Sequence, residues 1–486
     1  MAQSALLLNI SRSPTLTQAS PTQLSAPPNE PANDRREIFG WTMYDWANSA
    51  FTTTVVAALF GPYLTTIAQA AIGENGVVLD AGFYTITAKS LLTDCISLSV
   101  LLQFFFLPLL GALADYTNIK KQLMAAFCGV GAGATTLMFF VTTPTYWLGA
   151  LLFIIANLSF GAAIVFYNAF LNEITTEDMR DKVSSRGFAW GYIGGGVLLA
   201  LNLALVTFAE TIGISTGMAV RISLASAGIW WGVFGFLGIS RLRNRNVVHR
   251  KAPGESYLRL GLRELGGALR QLRGLPDTLR FLVGYLFYND GIQTVIGVSA
   301  VFLSQELFTQ VQRNANEDQS FLLTLVLMIQ FMAFFGALGF ERISRWLGTK
   351  RTIILTLVIW TGVVVFAYAI LRDTTQAFIM GAAIALVLGG SQALSRGLFS
   401  KMIPRGREAA FFGIYEISER GTSWIGPFIF ARVVASTGSY RQAILSLIVL
   451  FGIGMVILIF TDTDKAIHDA GNRLPEEVLH DAAAQG

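Results

Sequence analysis

About twelve stretches of this chain are each long and apolar enough to cross a lipid bilayer, and nothing else limits its fold so tightly. Inside hydrocarbon every backbone N–H and C=O needs a partner within the protein, so each stretch reads as a helix. Windows of about 19 residues place the spans near 38–68, 90–114, 122–142, 146–171, 184–209, 217–240, 279–305, 319–341, 352–372, 375–398, 409–435 and 440–461. A composition of 53% hydrophobic and only 14% charged residues excludes a soluble domain of 486 residues. The expected fold is all-α and integral to the membrane: twelve transmembrane helices in two pseudo-symmetric six-helix bundles. Residues 1–36 read as a disordered tail rich in Ser, Thr, Pro and Gln. The first bundle covers 37–240, a basic linker 241–278, the second bundle 279–462, and a second tail 463–486.

Most of the 35 Lys and Arg fall in the tails, the linker and alternate loops, among them Lys120, Lys121, Arg180, Lys182, Arg345, Arg396, Lys401 and Arg405. By the positive-inside rule both termini are then cytoplasmic and the number of spans is even. The same bias explains the basic linker as a topology signal, with no nucleic-acid binding implied. Within the linker, Leu258, Leu260, Leu262, Leu265 and Leu269 alternate with Arg259, Arg263, Arg270 and Arg273. That pattern fits either a basic amphipathic helix on the inner membrane surface or a plain soluble linker helix. Cys95 and Cys128 both lie in spans, and the three histidines lie outside them, so neither a disulfide framework nor a metal centre is expected.

Two acids interrupt the apolar pattern. Asp45 lies in the first span and Asp290 in the seventh. An ionisable group in hydrocarbon costs about 2.5 kcal/mol or more, so such groups normally face a protein interior or a water-filled cavity. Aligned on the acids, Asn48 and Gln293 coincide, each three residues on and on the same helix face as its Asp. Two acids at matching places in two halves suggest one central site built from a repeat. Asp45 lies about two turns above the inner surface, and Asp290 deeper, beside an i, i+4, i+8 polar stripe of Tyr285, Asn289 and Gln293. The readings are a cavity-lining carboxylate able to carry a proton, or a hydrogen bond between helices such as one capping an unwound turn. Asp94, one turn after Lys89, reads as its local partner or as part of an outer vestibule.

A second repeat supports the halves. Gln103 leads to Gly111-Ala112-Leu113-Ala114-Asp115 and Lys120-Lys121; Gln330 leads to Gly336-Ala337-Leu338-Gly339-Phe340, Glu341, Arg345 and Lys350-Arg351. The N-terminal half carries about 20 extra residues near 70–89, read as an extended outside loop. The Gly111–Asp115 pattern with its two lysines resembles the loop motif of the major facilitator superfamily. There the Asp pairs with basic residues and helix ends to latch the inner gate. Phe340 stands at the second copy's Asp position, although Glu341 is adjacent. Tyr44-Asp45-Trp46-Ala47-Asn48-Ser49, Phe166-Tyr167-Asn168-Ala169-Phe170-Leu171, Tyr288-Asn289-Asp290-Gly291 and Gly389-Gly390-Ser391-Gln392-Ala393-Leu394-Ser395-Arg396 resemble the vacuole-effluxer-like branch, bacterial type. The resemblance implies a major facilitator fold, amino acids as cargo and a bacterial plasma membrane over a vacuolar one.

The candidate substrate or proton residues are therefore Asp45, Asn48, Tyr288, Asn289, Asp290, Gln293, Ser391 and Gln392. The candidate inner gate comprises Gly111, Asp115, Lys120, Lys121, Glu341, Arg345, Glu416 and Arg420, the last two at i, i+4 in the eleventh span. No nucleophile lies beside a base and no nucleotide-binding domain is visible, so neither an enzyme nor a cofactor is expected. The function expected is secondary transport of a small polar organic solute by a monomer in the bilayer, with protons as candidate coupling ions. An Asp290→Asn change is expected to abolish gradient-driven accumulation. The rivals are an exporter of drug-like amphipaths, which would need a greasier cavity, and a non-transporting membrane receptor or scaffold.

Overall fold

The computed structural model describes residues 33–485 apart from 75, 83, 118, 245–255, 309–314 and 421–423. The predicted tail up to residue 32 lies outside the described residues.

Eleven helical runs among the described residues are long and apolar enough to span a bilayer. The first, Arg35–Ile72, joins α1 (Arg35–Ala50), a π-helical stretch (Phe51–Leu59) and α2 (Phe60–Ile72). Asp34 caps it by accepting the Arg36 N–H at 2.7 Å. The π-helical stretch begins where Thr52 and Thr53 turn their hydroxyls back onto the Ser49 carbonyl, at 3.0 and 2.8 Å, and loosen the regular ladder. The N-terminal bundle continues with α3 (Leu91–Thr117), α4 (Lys120–Leu137), α5 (Tyr146–Ile174), α6 (Arg180–Thr207) and α7 (Thr216–Ile239). The linker contains α8 (Tyr257–Arg273). The C-terminal bundle contains α9 (Pro276–Leu303), α10 (Ala315–Leu347), α11 (Thr349–Ala369), α12 (Thr374–Lys401), α13 (Glu408–Arg420), α14 (Ile425–Thr437), α15 (Tyr440–Ser446) and α16 (Ile448–Phe460).

The predicted eleventh span is the one that departs from a continuous helix. It consists of α13 and α14, 13 residues each, with Trp424 in a turn before α14 and residues 421–423 outside the described residues, so neither described piece spans alone. The predicted outside loop is not simply extended. It contains a small antiparallel hairpin, β1 (Val77–Asp80) with β2 (Thr85–Thr87). After the last span the chain forms α17 (Thr463–Asp469) and α18 (Pro475–Gln485). Between them Asn472 donates to the carbonyls of Lys401 and Ile403 at 2.7 and 2.8 Å, tying this tail to the end of α12.

The bundles meet along two related seams. In one, α3 packs on α13; in the other, α10 packs on α6, which also packs on α12. Under the internal repeat, the second and eighth spans exchange places, as do the fifth and eleventh. Gly111 makes the first seam tight: a Cβ there would sit 2.1 Å from the Ala409 carbonyl oxygen. Any larger residue would force α3 and α13 apart.

A buried charge network between two helical bundles

Asp45 on α1 and Arg396 on α12 meet between the bundles. One carboxylate oxygen of Asp45, Oδ2, accepts the Tyr167 hydroxyl at 2.6 Å and lies 3.4 Å from Nη2 of Arg396. Arg396 is 4% exposed. Its remaining donors reach Ser184 Oγ at 3.0 Å, the Ser184 carbonyl at 2.9 Å and Asn168 Oδ1 at 3.2 Å. Aromatic rings of Phe188, Trp41 and Tyr167 surround the guanidinium, with centroids at 4.2, 4.8 and 5.3 Å. The partners of Arg396 belong to α1, α5 and α6, so a C-terminal-bundle charge is satisfied by the N-terminal bundle. Gly187 leaves room for the acid: a Cβ there would lie 2.6 Å from Asp45 Oδ2.

The network continues through Asn168, whose amide donates to Glu416 Oε1 at 3.1 Å. Glu416 Oε2 accepts from Arg420 Nε at 2.9 Å. The predicted i, i+4 pair is therefore present, but Glu416 also reaches across the seam to α5. Nearby, Tyr192 donates to Gln392 Oε1 at 3.0 Å, another contact between bundles. Asn48 is buried one turn after Asp45.

At one end of the helices lies a latch. Asp115, at the end of α3, accepts the Ala409 and Ala410 N–H groups at 3.1 and 2.8 Å. These are first-turn amides of α13, where the helix dipole favours an anion. Lys120 lies 3.0 Å from Asp115, 2.5 Å from Glu173 and 3.5 Å from Glu408, at 1% side-chain exposure. A second latch lies at the same end. Asp181, in the first turn of α6, binds Lys401 at 2.6 Å and Thr349 Oγ1 at 2.5 Å. Glu177 binds Arg405 at 2.7 Å, and Arg180 donates to the Ser400 carbonyl at 2.8 Å. Burial alone would raise the Glu177 carboxyl; Arg180 and Arg405 outweigh it and hold the group below the ordinary carboxylate range.

The other predicted gate residues lie elsewhere. Lys121 donates to the Ser240 and Leu242 carbonyls, at 3.1 and 2.6 Å, so it fastens α4 to the end of its own bundle. Glu341 and Arg345 pair with each other along α10 at 2.6 Å. With Phe340 in place of an acid, the second latch is supplied from the opposite side of the seam, by Asp181.

Asp290 and Asn289 hold the break between α13 and α14. Asn289 donates to the Glu419 carbonyl at 3.0 Å, near the end of α13, and Asp290 Oδ2 accepts the Gly426 N–H at 2.6 Å, at the start of α14. The Asn289 amide oxygen and Oδ1 of Asp290 are buried without a hydrogen-bond partner among the described residues. Gly426 is needed there, since its Cβ would lie 2.0 Å from Thr294 Oγ1. Gln293 is half-buried one turn from Asn289. Tyr288 shares a 2.6 Å hydrogen bond with Ser395, one residue before Arg396. Ser391 donates to the Leu388 carbonyl of its own helix. No contact joins Asp45 to Asp290 among those described, so the two acids occupy separate settings. Asp94 takes hydrogen bonds from Tyr84 and Ser90 at 2.6 and 2.7 Å, while Lys89 pairs with Glu74. The Lys89–Asp94 pairing is therefore replaced.

The residues missed from sequence are Arg396, Tyr167, Asn168, Ser184, Asp181, Glu177, Arg180, Lys401, Glu173 and Glu408. Arg396 lies within the predicted tenth span, yet the charge pattern absorbs it as a loop cation. Its position inside an apolar segment was the signal that could have found it. Arg180 and Lys401 were likewise counted as topology charges but are buried in the second latch. Among the described residues, no group of three or more His, Cys, Asp or Glu is arranged to hold a metal ion.

The profile of a family described as "Vacuole effluxer Atg22 like" matches residues 33–471. The MFS-type transporter YxiO of Bacillus subtilis (strain 168) is 30% identical over 439 residues, covering 90% of this chain and 97% of that one. Autophagy-related protein 22-1 of Penicillium rubens is 25% identical over 568 residues, covering 91% and 93%. Among solved structures, the human organic anion transporter MFSD10 superposes with a TM-score of 0.61 at 12% identity, covering 88% of this chain and all of that one. At that identity the likeness shows the fold alone.

Proposed function

The chain belongs to the vacuole effluxer Atg22-like family and is a multi-pass membrane transporter of the major facilitator type, not an enzyme; from that premise we propose that it carries zwitterionic amino acids by alternating access, as a monomer. One observation carries this reading: the buried Asp45–Arg396 pair has one charge on each bundle. Separating the bundles exposes a carboxylate on one wall and a guanidinium on the other. An amino acid carries the same two charges and can enter between them, its carboxylate on Arg396 and its ammonium on Asp45. The exchange leaves no net charge buried, which matters where the cost of an unpaired ion is several kcal/mol. With the bundles apart, the rings of Trp41, Tyr167 and Phe188, which now pack on the guanidinium, would offer an apolar surface to the amino-acid side chain.

The two latches close the end of the pathway nearest the Asp45–Arg396 pair. Their acids and bases come from both bundles, so they must part when that end opens. Proton coupling is assigned to Asp45, whose carboxylate loses its cation when Arg396 withdraws. The latch end is placed in the cytoplasm, with the chain in a bacterial plasma membrane; the charge bias and the likeness to YxiO support this. The test is a counterflow screen in proteoliposomes, with single amino acids and with or without a pH gradient. Exchange of at least one amino acid, enhanced by the gradient, is expected. If amphipathic cations exchange and no amino acid does, the cargo reading fails and the exporter alternative replaces it.

A further inference from the structure

The linker helix α8 has three distinct faces. At about 100° per residue, Leu260, Ala268 and Leu272 fall on one side, and all are buried. That side packs on α3, where Leu109 fills the space opposite Gly261. Leu258, Leu262, Leu265 and Leu269 form a second stripe. Leu265 packs partly against the protein, but Leu258 is 60% exposed, Leu262 56% and Leu269 44%, so most of this stripe is left uncovered. Beside it runs a third stripe with Arg259, Arg270 and Arg273, all exposed. The whole helix docks beside the latch end of α3, where Arg263 stands over Tyr116 at 5.8 Å.

We propose that α8 lies in the membrane interface and recognises anionic lipid, with its leucine stripe in the acyl boundary and its arginine stripe on phosphate headgroups. A soluble linker helix would have no reason to keep an exposed leucine stripe next to a helix end at the membrane face. The order of faces is the one an interfacial helix requires: protein, then hydrocarbon, then headgroup layer. Each arginine near an anionic surface contributes about a fivefold gain in affinity. A separate hollow lined by Gly267, Arg270, Gln271 and Arg407 lies on the side of α8 away from the leucine stripe. It is open to a soluble anion, and because Arg270 lines it the test variant is made at Arg273, outside the hollow and next to the leucine stripe, so that the experiment distinguishes lipid from soluble anion.

The test uses the full chain in nanodiscs of phosphatidylcholine with increasing phosphatidylglycerol. Hydrogen exchange of residues 257–273 and the oxygen accessibility of a nitroxide on Leu262→Cys, in a Cys95→Ser/Cys128→Ser background, are recorded. Protection should rise with phosphatidylglycerol, and the nitroxide should report an acyl environment. Arg273→Gln should raise the phosphatidylglycerol fraction needed for half-protection roughly fivefold. Equal protection with and without phosphatidylglycerol, or a water-exposed nitroxide throughout, overturns the proposal. So does inorganic phosphate that protects α8 equally in phosphatidylcholine alone. The wild-type comparison decides the matter even where the Arg273 variant does not fold.

Discussion

Nη2 of Arg396 lies 3.4 Å from Oδ2 of Asp45, and the two residues belong to opposite bundles. Among the described residues, every hydrogen-bond partner of the Arg396 side chain belongs to the N-terminal bundle. The pair therefore cannot survive separation of the bundles, and its rupture is coupled to the motion that transport requires.

Removing one charge leaves the other buried and unpaired, which costs about 3–5 kcal/mol. Asp45→Ala and Arg396→Ala should each lower the melting temperature of the purified protein sharply. The double variant should be more stable than the sum of the singles predicts, because no lone charge remains. Strictly additive losses in thermal unfolding would show that the two residues are not energetically paired.

Asp115→Ala removes the acceptor for two first-turn amides of α13 and one neighbour of Lys120. It should open the latch end, so that a cysteine placed on the seam there reacts with a membrane-impermeant maleimide several-fold faster. Lys121→Ala, which loses contacts only within its own bundle, should leave the rate unchanged. Equal rates for Asp115→Ala and the parent protein would remove the latch role.

Asp290→Asn keeps an oxygen that can accept the Gly426 N–H, whereas Asp290→Ala does not. The Ala variant should lose about 1 kcal/mol or more, in the range of helix N-cap deletions, and the Asn variant much less. Gly426→Ala should also destabilise, since its Cβ would press on Thr294. Counterflow should survive in Asp290→Asn. If that variant folds normally but exchanges nothing, the carboxylate charge serves transport and not only the helix break.

Glu177 supplies a pH dependence. Its carboxyl is held below the ordinary range despite burial, because Arg180 and Arg405 oppose the effect of burial. A carboxyl lowered on folding contributes stability that is complete above its unfolded value, about 4.3, and is lost as pH falls through the lowered native value. Acidification into that range should therefore accelerate maleimide labelling at the second latch. Glu177→Gln should show faster labelling already at neutral pH and no further acid response. An unchanged acid response in Glu177→Gln would assign it to another group.

The sequence made the architecture readable because bilayer-length apolar runs admit few alternatives. Asp45 and Asp115 were readable for a related reason: an acid stands out against hydrocarbon, and Asp115 sat in a recognisable pattern. Arg396 was not, because a cation near a span end has the same appearance whether it lies in a loop or under one. The partners Tyr167, Asn168 and Ser184 are ordinary residues whose meaning comes from tertiary contact. Asp290 stands out as an acid in a span, but its partner, Gly426, is 136 residues away, and the Gly426-Pro427 pair that marks a helix end there does not say which acid meets it. The apparent symmetry of the two acids therefore concealed two different settings.

The central claim is that a zwitterion takes the place of the Asp45–Arg396 pair. Its most direct test is counterflow of a labelled amino acid in proteoliposomes bearing Arg396→Gln, Asp45→Asn or Asp290→Asn, with equal amounts of folded protein. The account predicts exchange lost in the first two and retained in the third. Undiminished exchange in Arg396→Gln and Asp45→Asn would contradict it.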